Sequence, residues 1–158
     1  AGRGRRCSAR DCGVLDCPAK GEVFAASIGS GSWMNGKPLK VADLSDEVKV
    51  AGPKSFVVPF ANAQARRVEA VGHVPSLAYR IALIAAGRIS ATFVKPNAHD
   101  WDLAAADLIL SEAGGTLVGA DGSRPHYAGQ TVSHGVLAAG HPLLIDDMLG
   151  VVAATTSG

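Results

Sequence analysis

Hydrophobic and polar positions change rhythm twice along the chain. Residues 1–12, AGRGRRCSARDC, show neither the alternation of a strand nor the spacing of a helix, and are expected to form a poorly ordered leader. From Gly13 short apolar runs alternate with turn residues. GVLDC, EVFAASIG and KPLKVAD read as β-segments separated by Pro18, Gly21 and the Asn35-Gly36 pair. Both residues of an Asn-Gly pair tolerate positive φ, which suits a two-residue hairpin turn, so this part is expected to be a meander.

Beyond about residue 47 strand-like and helix-like patterns alternate. EVKVAG, RRVEAVG, ISATFVK, GTLVGA and HGVLAAG read as strands, and SLAYRIALIAA, DLAAADLILSEA and HPLLIDDMLGVV as helices. Helices between strands imply crossover connections. The expected fold is α/β, a mixed sheet layered with helices, forming one domain over residues 13–150 with a flexible tail over 151–158.

Composition narrows the partners. A chain of 158 residues can bury a sizeable core, about 70% of its unfolded surface. Its 15 Lys and Arg balance 14 Asp and Glu, giving no general attraction to a nucleic acid polymer or an anionic membrane. No apolar run approaches the length of a membrane span, so no stable membrane association is expected. Cys7, Cys12 and Cys17 lack the close pairing of a zinc site and read as free thiols in a reducing cytoplasm.

The stretch NAHDWDLAAADLILSEAGG holds the sharpest chemical candidate. Ala and Leu favour a helix, polar residues are confined to Asp107, Ser111 and Glu112, and Gly114-Gly115 supply the stop. Such a helix is buried around most of its circumference. Asp102 at its start fits either of two roles: an N-cap contributing about 1 kcal/mol, or a hard-cation ligand held ionised by the helix dipole. His99 and Asp100 lie nearby, but alternate residues of an extended loop point opposite ways, so Asp100 and Asp102 are not expected to share an ion.

WDLAAADLILSEAGG, Trp101 to Gly115, resembles the carboxyl-terminal motif of the inositol monophosphatase superfamily. GEVFAASIGSGSWMNGKPLKV is similar to that family's hairpin, and HGVLAAGHPLL extends the likeness, which runs from about Gly13 to Gly150. The resemblance implies a Mg2+-dependent, lithium-sensitive phosphomonoesterase with a layered αβαβα fold, acting on inositol phosphates, sugar bisphosphates or adenosine bisphosphates. It also implies that Asp102 binds metal and lies against the substrate, and it makes a homodimer a possible assembly. The family's remaining ligands come from an upstream glutamate and an Asp-Pro-Ile/Leu-Asp-Gly-Thr segment, and no such segment occurs here. The chain therefore corresponds to the carboxyl-terminal portion of that fold. A single carboxylate holds Mg2+ weakly, so the chain by itself is expected to be inactive.

Three further residues point to the substrate. Ser76 is the expected N-cap of SLAYRIALIAAG, and Arg80 follows in its first turns, where a cation opposes the helix dipole. A helix amino terminus beside an arginine suits phosphate; the plainer alternative is a solvent-facing arginine whose stem covers apolar surface. Arg80 is similar to a basic residue of the 3'(2'),5'-bisphosphate nucleotidases. Lys95 stands seven positions before Asp102, where inositol-specific members carry an acidic residue. AGPKSF, Ala51 to Phe56, is similar to a nucleotide-contact segment of the nucleotidases, with Phe56 replacing a histidine; Lys54 and Lys95 could equally be solvated strand-end lysines.

GSGS, Gly29 to Ser32, precedes a hairpin rather than a Lys-Ser/Thr and a helix, and is no P-loop. The expected function is therefore bisphosphate nucleotidase-like phosphomonoester hydrolysis, with Asp102, Ser76, Arg80 and Lys95 on the substrate. Inositol-1-phosphate hydrolysis is the alternative enzyme, and a non-catalytic binding module is the rival from another class.

Overall fold

A computed structural model describes residues 12–72, 74, 76–96, 98–125 and 133–156; at 98–102 and 133–134 it describes the backbone alone. The expected leader lies outside these residues except for Cys12, which opens the first strand. Strands β1 (Cys12–Cys17), β2 (Glu22–Ser27), β3 (Gly31–Met34) and β4 (Lys37–Pro38) pair antiparallel in that order, as the meander pattern predicts. The β3–β4 turn sits at Asn35 (φ 50°) and Gly36 (φ 80°), the two positive values that a tight hairpin needs. Cys12 is disulfide-bonded and only Cys17 is free among the described cysteines. The free-thiol expectation is thus corrected at Cys12 and holds at Cys17.

The second half builds a five-stranded mixed sheet and four helices. In chain order the elements of this half are β5 (Glu47–Ala51), α1 (Lys54–Ala63), β6 (Arg67–Ala70), α2 (Leu77–Ala85), β7 (Ala91–Val94), β8 (Ala98–His99), α3 (Asp100–Glu112), β9 (Thr116–Gly119), β10 (Ser133–His134), β11 (Leu137–Gly140) and α4 (Ile145–Thr156), of which β8 and β10 lie outside the five-stranded sheet. The sheet order is β6-β5-β7-β11-β9, with β5 parallel to both neighbours and β11 antiparallel to both of its own. β8 and β10 form a separate two-stranded ladder.

Two cores flank this sheet. Ala51, Val94, Leu117 and Ala139 face α2 and α3, whose other side packs on Phe24 and Ala26 of the meander. Val48, Val50, Phe93 and Val118 face α1 and α4. All four residues of β7 are buried, as expected for a central strand covered on both faces. The layers run meander, α2/α3, sheet, α1/α4. The meander's outward face leaves Val14 64% and Val23 42% exposed.

Two sequence expectations change. Helix α1 was not evident, because KSFVVPFANA has no side-chain cap and carries Pro59 in its interior. Burial of Phe56, Val57 and Phe60 overrides that poor propensity, with Phe56 stacked on Phe93 at 5.4 Å and Phe60 edge-on to it at 5.7 Å. The expected tail over 151–158 is corrected as far as Thr156: α4 continues to that residue because Val151 and Val152 are buried in the second core. Residues 157–158 lie outside the described residues.

Candidate functional site

The site arises where three parallel strands end. β5 stops at Ala51, and the chain turns at Gly52 with φ 132°. A Cβ there would lie 2.9 Å from the Phe93 carbonyl oxygen and 3.0 Å from its Cβ, so backbone and strand approach closely only because residue 52 is glycine. The Pro53 carbonyl accepts bonds from the Phe56 and Val57 amides at 3.0 Å, starting α1 without a polar cap and placing Lys54 at its first position. β6 leads through Val71 and Gly72 to Ser76, whose hydroxyl accepts from the Tyr79 amide at 3.2 Å and caps α2. β7 ends at Val94 and is followed by Lys95 and Pro96.

These three ends enclose a pocket of about 780 Å3, within the usual range for small-molecule sites. Three cations line it: Lys54, Arg80 and Lys95. The other described lining residues are apolar or glycine, and none is acidic. Open α/β sheets bind ligands beyond the carboxyl ends of their strands for the same topological reason.

Arg80 is the most constrained of the three. It is half-buried, and its Nε is buried without a hydrogen-bond partner among the described residues. Burial lowers its pKa, yet a guanidinium stays charged. A buried unpaired donor of this kind is costly, and an anion entering the pocket would satisfy it.

A buried carboxylate supports the helix from behind. Glu22 on β2 accepts a 2.7 Å bond from the Tyr79 hydroxyl and a 3.1 Å bond from Arg88, whose Nη1 also lies 2.8 Å from the second carboxylate oxygen. Phe24 packs edge-on to the Tyr79 ring at 6.1 Å. The meander thus fixes the rotation of α2 at the residue preceding Arg80. In EVFAAS the period of two puts Glu22 on the same buried face as Phe24 and Ala26.

The structure brings Arg80 and Lys95 together and adds Lys54. Ser76 is exposed and its hydroxyl serves as the α2 cap. Phe56 turns from the pocket into the core against Phe93. Asp102 falls in the first turn of α3, because the helix starts at Asp100 rather than after Asp102. Its side chain, like those of His99 and Asp100, lies outside the described groups. Gly52 and Gly72, both in the pocket wall, were missed; a Gly-Pro pair directly after a strand was the available signal for the first.

Mg2+ demands several oxygen ligands in near-octahedral order. Among the described residues no three His, Cys, Asp or Glu side chains gather as a metal-binding group, and the described pocket lining has no carboxylate. The described side chains by themselves do not fit that ion.

A model of the inositol monophosphatase family matches residues 11–153. The chain belongs to this family. Among its relatives, the "Inositol-1-monophosphatase" of Mesorhizobium japonicum is 30% identical over 151 residues, which cover 89% of this chain and 54% of that protein. The "Inositol monophosphatase" of Dictyostelium discoideum is 29% identical over 126 residues, covering 70% of this chain and 44% of its own length. The chain thus spans about half the length of the curated relatives it matches. The Thermotoga maritima IMPase structure superposes with a TM-score of 0.74 at 24% identity, covering 93% of this chain and 57% of that one, and shows the shared α/β fold. No helix among the described residues is long and apolar enough to cross a membrane.

Proposed function

We propose that this chain carries the substrate-binding side of a Mg2+-dependent phosphomonoesterase acting on a small phosphorylated compound. The observation that carries this reading is the convergence of Lys54, Arg80 and Lys95 on one pocket at the strand ends, with the Arg80 Nε left unpaired among the described residues. Asp102, in the family motif Trp101 to Gly115, is the metal ligand proposed here. The described residues supply no second ligand, so no catalytic step is assigned through Mg2+.

Two substrate branches remain open to test. A pocket of three cations supports a ligand with a second anionic group, as in adenosine bisphosphate, with Arg80 on the second phosphate. The names of the relatives in Mesorhizobium and Dictyostelium support inositol phosphate at least as well. The non-catalytic rival uses the same pocket without turnover.

Calorimetric titration with inorganic phosphate tests the pocket itself. A charge-assisted contact contributes about 1.5–3 kcal/mol, so Arg80→Ala should weaken binding roughly ten- to a hundredfold while the protein stays folded. Unchanged phosphate affinity in that variant would remove the pocket from the function. In an active enzyme, Arg80→Ala should raise the KM for adenosine bisphosphate far more than for inositol phosphate; equal effects would discard the nucleotidase branch.

A further inference from the structure

Asn35 joins two parts of the meander. Its φ of 50° makes the β3–β4 turn, and its side-chain amide spans the strand start opposite. Oδ1 accepts from the Val23 amide at 2.9 Å, Nδ2 donates to the Gly21 carbonyl at 3.0 Å, and the Asn35 backbone amide donates to the Val23 carbonyl at 2.9 Å. The segment beyond the turn depends on this hold. The Leu39 amide donates to the Ser32 carbonyl at 2.8 Å, the Val41 amide donates to the Ala113 carbonyl at 2.9 Å, and both side chains pack on the first core.

Gly36 follows, which makes Asn35 chemically unlike Asn62 and Asn97, each of which precedes alanine. A glycine has no Cβ to keep its backbone nitrogen from the preceding side-chain amide. In the reaction this permits, the Gly36 nitrogen bonds the Asn35 Cγ, the Cγ–Nδ2 bond breaks, and Nδ2 leaves as ammonia with the proton displaced from the Gly36 nitrogen. The product is a cyclic imide. Water then adds to one of its two carbonyls: opening at Cγ leaves aspartate, and opening at the backbone carbonyl leaves isoaspartate, whose main chain runs through Cγ and is longer. Attack needs Cγ to swing onto the Gly36 nitrogen, and an amide held at both ends does not make that turn.

We infer that Asn35 is a deamidation site gated by the fold, closed while Val23 and Gly21 hold its amide and open once the β3–β4 hairpin detaches. The change is one-way. An aspartate at this position keeps the Val23 bond but sets a carboxylate oxygen against the Gly21 carbonyl, acceptor against acceptor. An isoaspartate lengthens the two-residue turn, which the pairing of Trp33 with Pro38 and Met34 with Lys37 does not accommodate. An opening long enough for reaction is thereby recorded in the covalent chain, and the altered chains lose the hairpin that places Leu39 and Val41 on the core.

Peptide mass spectrometry of the 158-residue chain, incubated at mildly alkaline pH in buffer and in urea, tests both the site and the gate. In urea Asn35 is expected to convert about tenfold or more faster than Asn62, because only Asn35 precedes a residue without a Cβ. Conversion of Asn35 in buffer is expected to be about tenfold or more slower than in urea, the factor that two net hydrogen bonds supply. At urea concentrations too low to unfold the chain, conversion should rise in step with hydrogen exchange at the Val23 amide, which the same opening frees. Asn62 converting as fast as Asn35 in urea would overturn the site. Equal rates for Asn35 in buffer and urea, or conversion that rises while the Val23 amide stays protected, would overturn the gate. Asn35→Asp should lower the thermal midpoint; a midpoint equal to that of the parent would overturn the structural consequence.

Discussion

Tyr79 donates a 2.7 Å hydrogen bond to Glu22, so the helix residue immediately before Arg80 is anchored to a strand of the other sheet. Tyr79→Phe removes that bond alone and should cost about 1 kcal/mol. Glu22→Ala also strands Arg88, which bonds the same carboxylate, and should cost about 2–4 kcal/mol. Urea denaturation of the two variants checks the order; equal losses would mean that Arg88 contributes nothing through Glu22.

The same pair sets a pH limit at the alkaline end. Burial, then the bond to Glu22, raises the Tyr79 pKa. A raised pKa means that the folded state favours the neutral phenol, so the contribution is complete below the unfolded tyrosine value of about 10 and is lost as pH rises through the higher folded value. Stability measured from pH 8 to 11.5 should fall at the top of that range, and the fall should shrink in Tyr79→Phe.

Gly52→Ala should be destabilising by about 1–3 kcal/mol, because φ 132° is strained for any residue with a Cβ and that Cβ would press on the Phe93 backbone. Phosphate binding should weaken in the same variant, since residue 52 forms the pocket wall. A thermal midpoint equal to that of the parent would refute the close approach.

Ending the chain at Gly150 removes Val151 and Val152, both buried against α1 and the sheet. Each fully buried valine contributes about 1.5 kcal/mol or more, so the shortened chain should lose about 3 kcal/mol or more. Calorimetric melting distinguishes this from a tail, whose removal would leave the midpoint unchanged.

Mg2+-dependent turnover of adenosine bisphosphate or inositol phosphate by this chain should be negligible, since Asp102 is the single metal ligand assigned to it. Turnover that disappears in Asp102→Asn would show that further ligands exist among its residues.

Local sequence determined the meander, the strand–helix alternation and helices α2, α3 and α4, through apolar periods and turn residues and, for α3, through its Ala and Leu content and the Gly114-Gly115 stop. Asn35-Gly36 fixed a hairpin, and Ser76 a helix start, through backbone chemistry that needs no distant partner. The Trp101 to Gly115 motif also made the family legible. Helix α1 was hidden, since an uncapped segment with an internal proline becomes helical only when Phe56 and Phe60 find Phe93. The pocket was legible in part: Arg80 stood out by its place in the first turns of a helix and Lys95 by the family resemblance. Their meeting with Lys54, the close approach at Gly52, and the Glu22 support behind α2 were decided by tertiary structure alone. Each depends on which strand ends lie side by side, and strand order in a sheet is set by packing of both faces rather than by any local stretch of chain.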